Sequence, residues 1–212
     1  MGQSVMAERN ADTAKPLGAP LAVGASIQPE IQLDLPGTVA PTLELVAARP
    51  EVAQAQDGRI IGRAPGVTAI LITTKEGTVL DFHHLWVEQA TRVTLHRQDD
   101  SARELGEVLS GLDFFVGESI YLTPKVYFKS QELAGTVAGT WSVDPPVATL
   151  LRQGLADSRR LVGSAPGEGT LTVTVSGVSV KVPLRVLNPW KPSVVSPPDA
   201  EIASDPNPGD TK

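Results

Sequence analysis

The chain has three histidines, His83, His84 and His96, and no cysteine. Disulfides, thiolate zinc sites and cysteine nucleophiles are therefore excluded. His83 and His84 are adjacent in a β-rich run. Neighbouring strand residues point to opposite faces, so the two cannot join one metal site without distortion. Leu80 and Phe82 keep one parity, and Leu85 and Val87 the other. If both pairs face a core, the register slips at His83-His84, as a β-bulge allows. Otherwise these histidines are plain surface residues. Asp99-Asp100 lacks the further carboxylates that a calcium cage requires and fits a turn. Ser119 and Ser142 have no His and Asp pattern that singles them out as nucleophiles. Gly62-Arg63-Ala64-Pro65-Gly66 and Gly163-Ser164-Ala165-Pro166-Gly167 are not phosphate loops. They lack the following Lys-Ser/Thr and open strands rather than helices. Trp86 and Trp190 are candidates for a sugar-stacking platform, although tryptophan near a domain junction also serves packing. The expectation is a protein with no catalytic, cofactor-binding or metal site.

The elements behind these residues follow from an internal repeat. Val23-Gly24-Ala25-Ser26-Ile27 returns as Val116-Gly117-Glu118-Ser119-Ile120, 93 residues later. Glu51-Val52-Ala53 returns as Pro146-Val147-Ala148 at an offset of 95, and the Gly-x-Ala-Pro-Gly motif at an offset of 101. Three landmarks in one order predict two copies of one unit. Leu171, Val173 and Val175 alternate with threonines. After Ser176-Gly177, Val178, Val180, Val182, Leu184 and Val186 alternate with polar residues. This period of two with one wet face marks an antiparallel hairpin on a sandwich. Pro183 lies on the wet side and cannot donate to a ladder, which predicts a free edge there. Ser101-Ala102-Arg103-Glu104 fits a capping box, and Leu105, Val108, Leu109 and Leu112 follow at helical spacing. A short helix over 101–112 is predicted on that basis.

Composition narrows the partners. The 212 residues carry 18 Lys plus Arg against 24 Asp plus Glu, a net charge of −6. That argues against a nucleic-acid surface, which needs cations to release counterions, and against adsorption to anionic lipid. No apolar run approaches the length needed to span a bilayer, and Met1 to Pro20 contains no apolar signal-peptide core. Aromatics are 4%, so the cores must rest on Val, Leu and Ile. The expected organisation is an extended arm (1–21), a first sandwich (22–89), a second (90–188) and a Pro-rich tail (189–212).

The order of motifs resembles the bacterial immunoglobulin-like domain of the second group, found in surface adhesins. In the second copy the matching residues are Val116-Gly117, Trp141-Ser142-Val143, Pro146-Val147-Ala148, Gly163 to Gly167 and Thr170 to Val175. In the first they are Val23-Gly24, Pro50-Glu51-Val52-Ala53, Asp57 to Gly62 and Ala64-Pro65-Gly66. The resemblance implies an all-β fold of two tandem Greek-key sandwiches, here with one helical insertion. It also implies a spacer or docking role and brings no catalytic residues. Trp141 is expected between the two sheets of its unit, with Val46 at the equivalent place in the first copy.

The function expected is that of a non-enzymatic, extracytoplasmic structural or binding protein acting through protein partners. Gly2-Gln3-Ser4 and the polar arm suit the mature part of a lipoprotein whose lipid anchor lies upstream, at a cysteine that Met1 replaces. The alternative is a virion or appendage subunit strapped to its neighbours by arm and tail. A third reading is an accessory carbohydrate-binding module, which would need an exposed aromatic row. Both sandwiches are expected to keep polar wet faces, leaving the arm, the helix and the tail to make contacts.

Overall fold

The computed structural model describes residues 4–8, 18–33, 42–152 and 157–189. Among them all regular structure is β. The first half holds β1 (Ser4–Glu8), β2 (Leu21–Ala22), β3 (Ser26–Ile27), β4 (Pro29–Leu33), β5 (Leu43–Ala47), β6 (Ala53–Gln56), β7 (Arg59–Gly62), β8 (Gly66–Thr74) and β9 (Val79–Glu88). The second half opens with β10 (Arg92–Gln98), β11 (Glu104–Glu107), β12 (Leu112–Phe115), β13 (Ser119–Phe128) and β14 (Gln131–Glu132). It continues with β15 (Thr140–Asp144), β16 (Ala148–Arg152), β17 (Arg159–Gly163), β18 (Gly167–Val175) and β19 (Val178–Leu187).

In the second half one sheet runs β11-β10-β13-β17-β16, with β14 on β13, and another runs β12-β19-β18-β15. Pairing is antiparallel except for β12, which lies parallel to β19. The first half repeats this plan. Its β2-β9-β8-β5 sheet closes on the same parallel strand, and β3-β7-β6 matches β13-β17-β16. β1 pairs with β4 as β10 pairs with β13, placing Ser4 opposite Leu33 and Glu8 opposite Pro29. Ser4–Glu8, expected within the arm, is therefore a strand of the first half. Residues 9–17 of the arm and the tail from residue 190 lie outside the described residues.

Alternation fixes which side chains face inward. In β18 and β19, Leu171, Val173, Val175, Val182, Leu184 and Val186 are buried. Their first-half counterparts Ile70, Ile72, Leu85 and Val87 are buried too. One apolar cluster runs through residues of both halves, and each such side chain contributes about 1.5–3 kcal/mol when removed from water. Pro183 sits where predicted. β12 covers β19 only from Leu184 to Leu187, so the edge before it is open.

The three repeated landmarks meet in space. The amide of Gly24 donates to the carbonyl of Gly62 at 2.9 Å, and that of Gly117 to Gly163 at 2.9 Å. Arg63 and Ala64 both donate to the carbonyl of Val52, as Ser164 and Ala165 do to Val147. A Cβ on Gly62 would stand 2.6 Å from the Ala22 carbonyl oxygen, and one on Gly163 would stand 2.5 Å from that of Phe115. The first glycine of each motif is thus required because the parallel closing strand crosses directly over it.

Three expectations are corrected. No helix covers 101–112; β11 pairs with β10 instead, and β12 follows. Gly106 adopts φ 135° and Ala102 φ 63°, conformations outside the helical region. The carboxylate of Asp99 accepts from the amides of Ser101 (3.0 Å) and Arg103 (2.9 Å), closing a tight turn rather than a helix start. Glu104 does not reach back as a cap. The strand register also places Leu45, not Val46, at the position of Trp141: Leu45 pairs with Ile72, and Trp141 with Val173. Finally, no register shift occurs at His83-His84. The shift lies nearer the start of β9, where Ile72 pairs with Asp81 and Thr73 with Val79 so that Leu80 is the extra residue, and Phe82 points outward, 53% exposed.

The halves are joined by backbone. Ala134 donates to Pro20 (2.8 Å), Ala22 donates to Ala134 (3.1 Å), and Ser26 and Thr136 exchange two hydrogen bonds at 3.0 and 2.9 Å. Ser176 Oγ donates to the Val23 carbonyl (2.8 Å), and Gln89 Nε2 donates to the Ser176 carbonyl (2.9 Å).

Candidate functional site

With the shift at Ile72/Thr73, the outer face of the β2-β9-β8-β5 sheet carries Phe82, His84 and Trp86 on one strand. Across from them in register stand Leu71, Ala69 and Val67 of β8, and Val46 of β5 lies beside Leu71. Trp86 is 51% exposed, Val46 43% and Val67 40%. The rings touch in a row. Phe82 meets His84 edge to face at 5.5 Å, and His84 meets Trp86 at 6.2 Å with a tilt of 49°. Together they form a contiguous, largely apolar exposed surface, a feature that marks contact sites when it is extensive.

The second half supplies an internal control. By strand register, Phe82, His84 and Trp86 correspond to Lys181, Pro183 and Arg185. Val67, Ala69 and Leu71 correspond to Glu168, Thr170 and Thr172, and Val46 to Ser142. The same positions of the same sheet are thus mainly polar in one half and mainly apolar in the other. The expectation of polar wet faces in both halves holds for the second half and fails for the first. Counting Phe82 as a core residue concealed the row. A strict period of two read backwards from Trp86 finds it.

The other residues singled out in the sequence are dispersed. His83 faces Asp81 at 3.8 Å on the inner side of β9. His96 is buried. Its Nε2 lies 2.9 Å from Thr94 Oγ1, and its Nδ1 lies 2.7 Å from Glu104 Oε1. Lys125 Nζ lies 2.7 Å from the other oxygen of Glu104 and 3.6 Å from Glu132. The ammonium of Lys125 holds the Glu104 carboxyl below its ordinary range, and the His96 hydrogen bond acts in the same direction. This network fastens β11 to β10 and β13. Asp99 is held low by the Arg103 amide. Burial pushes Asp157 up. Ser119 Oγ accepts from Arg160 Nε at 3.0 Å. Trp141 is half-buried against the core, with the Arg159 guanidinium 5.6 Å from its ring. An open groove of about 520 Å³ lies beside Asp113, Asp144, Glu168 and Arg185. Among the described residues no three His, Asp or Glu side chains lie close enough to hold a metal ion. No helix among them is long and apolar enough to cross a membrane.

No protein-family model matches the chain, and no curated protein matches it. Solved structures do. Domains 4 and 5 of the S-layer protein SbsC match at 16% identity with a TM-score of 0.33, over 86% of this chain and 99% of that one. InvD of Yersinia pseudotuberculosis matches at 10% identity and a TM-score of 0.36, over 92% and 60%. The Escherichia coli adhesin FdeC matches at 14% identity and a TM-score of 0.36, over 87% and 63%. The chain spans 28% of a longer SbsC structure. Likeness at this level carries no functional argument.

Proposed function

We propose that this chain is a non-enzymatic, extracytoplasmic structural or docking protein, built as two immunoglobulin-like sandwiches in tandem. One apolar face of the first sandwich receives a protein partner. The observation that carries this reading is the contrast between the Phe82-His84-Trp86 face and its mainly polar counterpart at the same positions of the repeated fold. A fold that tolerates Lys181 and Arg185 there has no need of Phe82 and Trp86. The sheet order of the second half, with four main strands opposite three plus a parallel closing strand, is that of immunoglobulin-type sandwiches. The surface setting follows from the resemblance of the sequence motifs. The perpendicular and tilted rings do not form the flat platform on which a sugar stacks, so the aromatic row favours a protein partner over a carbohydrate.

The test is the triple variant Val67→Glu, Phe82→Lys, Trp86→Arg, which installs the second half's residues. The expected outcome is an unchanged far-ultraviolet spectrum and loss of co-sedimentation with assemblies from the native source. A variant that folds and still co-sediments like the wild type would overturn the reading.

A further inference from the structure

We infer that the apolar face of the first half is occupied by residues 189–198 of a second copy of this chain, so that copies join head to tail. This rests on the docking reading above and names the partner.

The chain itself contains a matching segment. Pro189-Trp190-Lys191-Pro192-Ser193-Val194-Val195-Ser196-Pro197-Pro198 follows directly on β19. It contains a Pro-x-x-Pro unit enclosing a tryptophan, then two valines and two further prolines. Aromatic-lined surfaces take such segments in the polyproline II form, because proline has already lost the entropy that docking removes. The exposed row of Phe82, His84 and Trp86 is such a surface.

Charge separates this occupant from a second copy of the face. Glu44 and Glu88 flank the row from β5 and β9. Arg49, beyond the end of β5 opposite to Glu44, is paired with Glu51, and Lys75 shares its hairpin with Glu76. Stacking two such faces would set carboxylates against carboxylates. The segment 189–198 has one charged residue, Lys191, of the sign the rim accepts.

Reach places Trp190, the aromatic anchor of the segment, on another molecule. β19 begins at the joint, where Ser176 is bonded to Val23, and runs from it to Leu187. Ten residues of strand span about 33 Å. Trp190 stands three residues beyond Leu187, about 10 Å of chain. It therefore cannot return to the Trp86 of its own molecule, which lies two residues from the end of β9 on the other side of the joint. A neighbour's face is within reach. Such a contact is heterologous, so copies add in one direction as an open chain unless the rotation closes a ring.

The experiment uses the full chain and two one-sided variants, Phe82→Lys/Trp86→Arg and Trp190→Ser/Lys191→Glu, in sedimentation velocity over a concentration series. Circular dichroism confirms that both variants are folded. The wild type is expected to self-associate. Each variant alone is expected to lose association, with the dissociation constant raised roughly tenfold or more. An equimolar mixture of the two is expected to form a one-to-one pair, because one supplies an intact segment and the other an intact face. A wild type that stays monomeric, or a mixture that stays monomeric beside an associating wild type, overturns the inference. If the Trp190 variant associates like the wild type while the face variant does not, the segment is wrong and the docking face stands. If the face variant associates like the wild type, both fall.

Discussion

The two halves share their cores and differ in their outer faces. Ile70 and Leu171, Ile72 and Val173, Leu85 and Leu184, and Val87 and Val186 occupy equivalent inward positions, and all are buried. One residue away along the same strands, Phe82 and Trp86 stand where the other half has Lys181 and Arg185. Inward positions are constrained by packing density, and outward positions are constrained only by solubility and partners. The comparison teaches that the aromatic row is not a by-product of folding. A second difference is the hairpin of β11, fastened by His96, Glu104 and Lys125. Among the described residues the first half has no such fastening.

The comparison breaks most readily where the halves are most alike. Gly62→Ala and Gly163→Ala each push a methyl group into a backbone carbonyl of the closing strand. Each substitution is expected to cost about 1–3 kcal/mol, read as a lowered denaturant midpoint. If only one of them destabilises, the two knots are not equivalent. Trp141→Leu installs the residue that Leu45 represents in the first half. The indole nitrogen is buried without a hydrogen-bond partner among the described residues, so its loss offsets part of the lost apolar contact. The expected cost is about 1 kcal/mol, measured the same way.

The hairpin fastening can be sharpened by pH. The Glu104 carboxyl is depressed below its ordinary value of 4.5, chiefly by Lys125 and also by His96. A depressed carboxyl adds stability that is fully present above its unfolded pKa and is lost as pH falls through the folded value. The stability difference between wild type and Glu104→Gln is therefore expected to be constant above about pH 5 and to shrink toward pH 3. The side chain is 42% exposed, so solvent screening keeps the effect small. Thermal unfolding of both proteins across that range checks it. A difference that grows on acidification would mean that the ion pair is not formed. Smallest of all is the expected stability effect of Phe82→Lys or Val46→Ser, within about 0.5 kcal/mol. A larger loss from either would show that the apolar face supports the fold.

Much of this architecture was legible. The alternation of β18 and β19 and the open edge at Pro183 were readable from residue types, because burial on one side of a strand imposes a period of two. The helix over 101–112 was misread, because a capping box and helical spacing are local signals. Gly106 and Asp99 offered the backbone a turn and a strand partner that such signals do not weigh. The outward aromatic row was missed because Phe82 was counted as core, and a slip was then required at His83-His84. The slip sits instead at Leu80, the extra residue of β9 between Asp81 and Val79, three residues before the histidines.

By itself, then, the sequence determined an all-β chain without cysteine and with a net negative charge, and it marked Gly62 and Gly163, over which the closing strands cross. Those features depend on each residue's own geometry and on its near neighbours. Only the tertiary structure decided that Leu45, rather than Val46, is the partner of Trp141. Only it joined the halves through Pro20, Ala134, Ser26 and Thr136, and brought Val46, Val67, Phe82, His84 and Trp86 onto one surface. Register between strands far apart in the chain settles these matters. Register is set by the sum of many pairings, and no single stretch of sequence contains it.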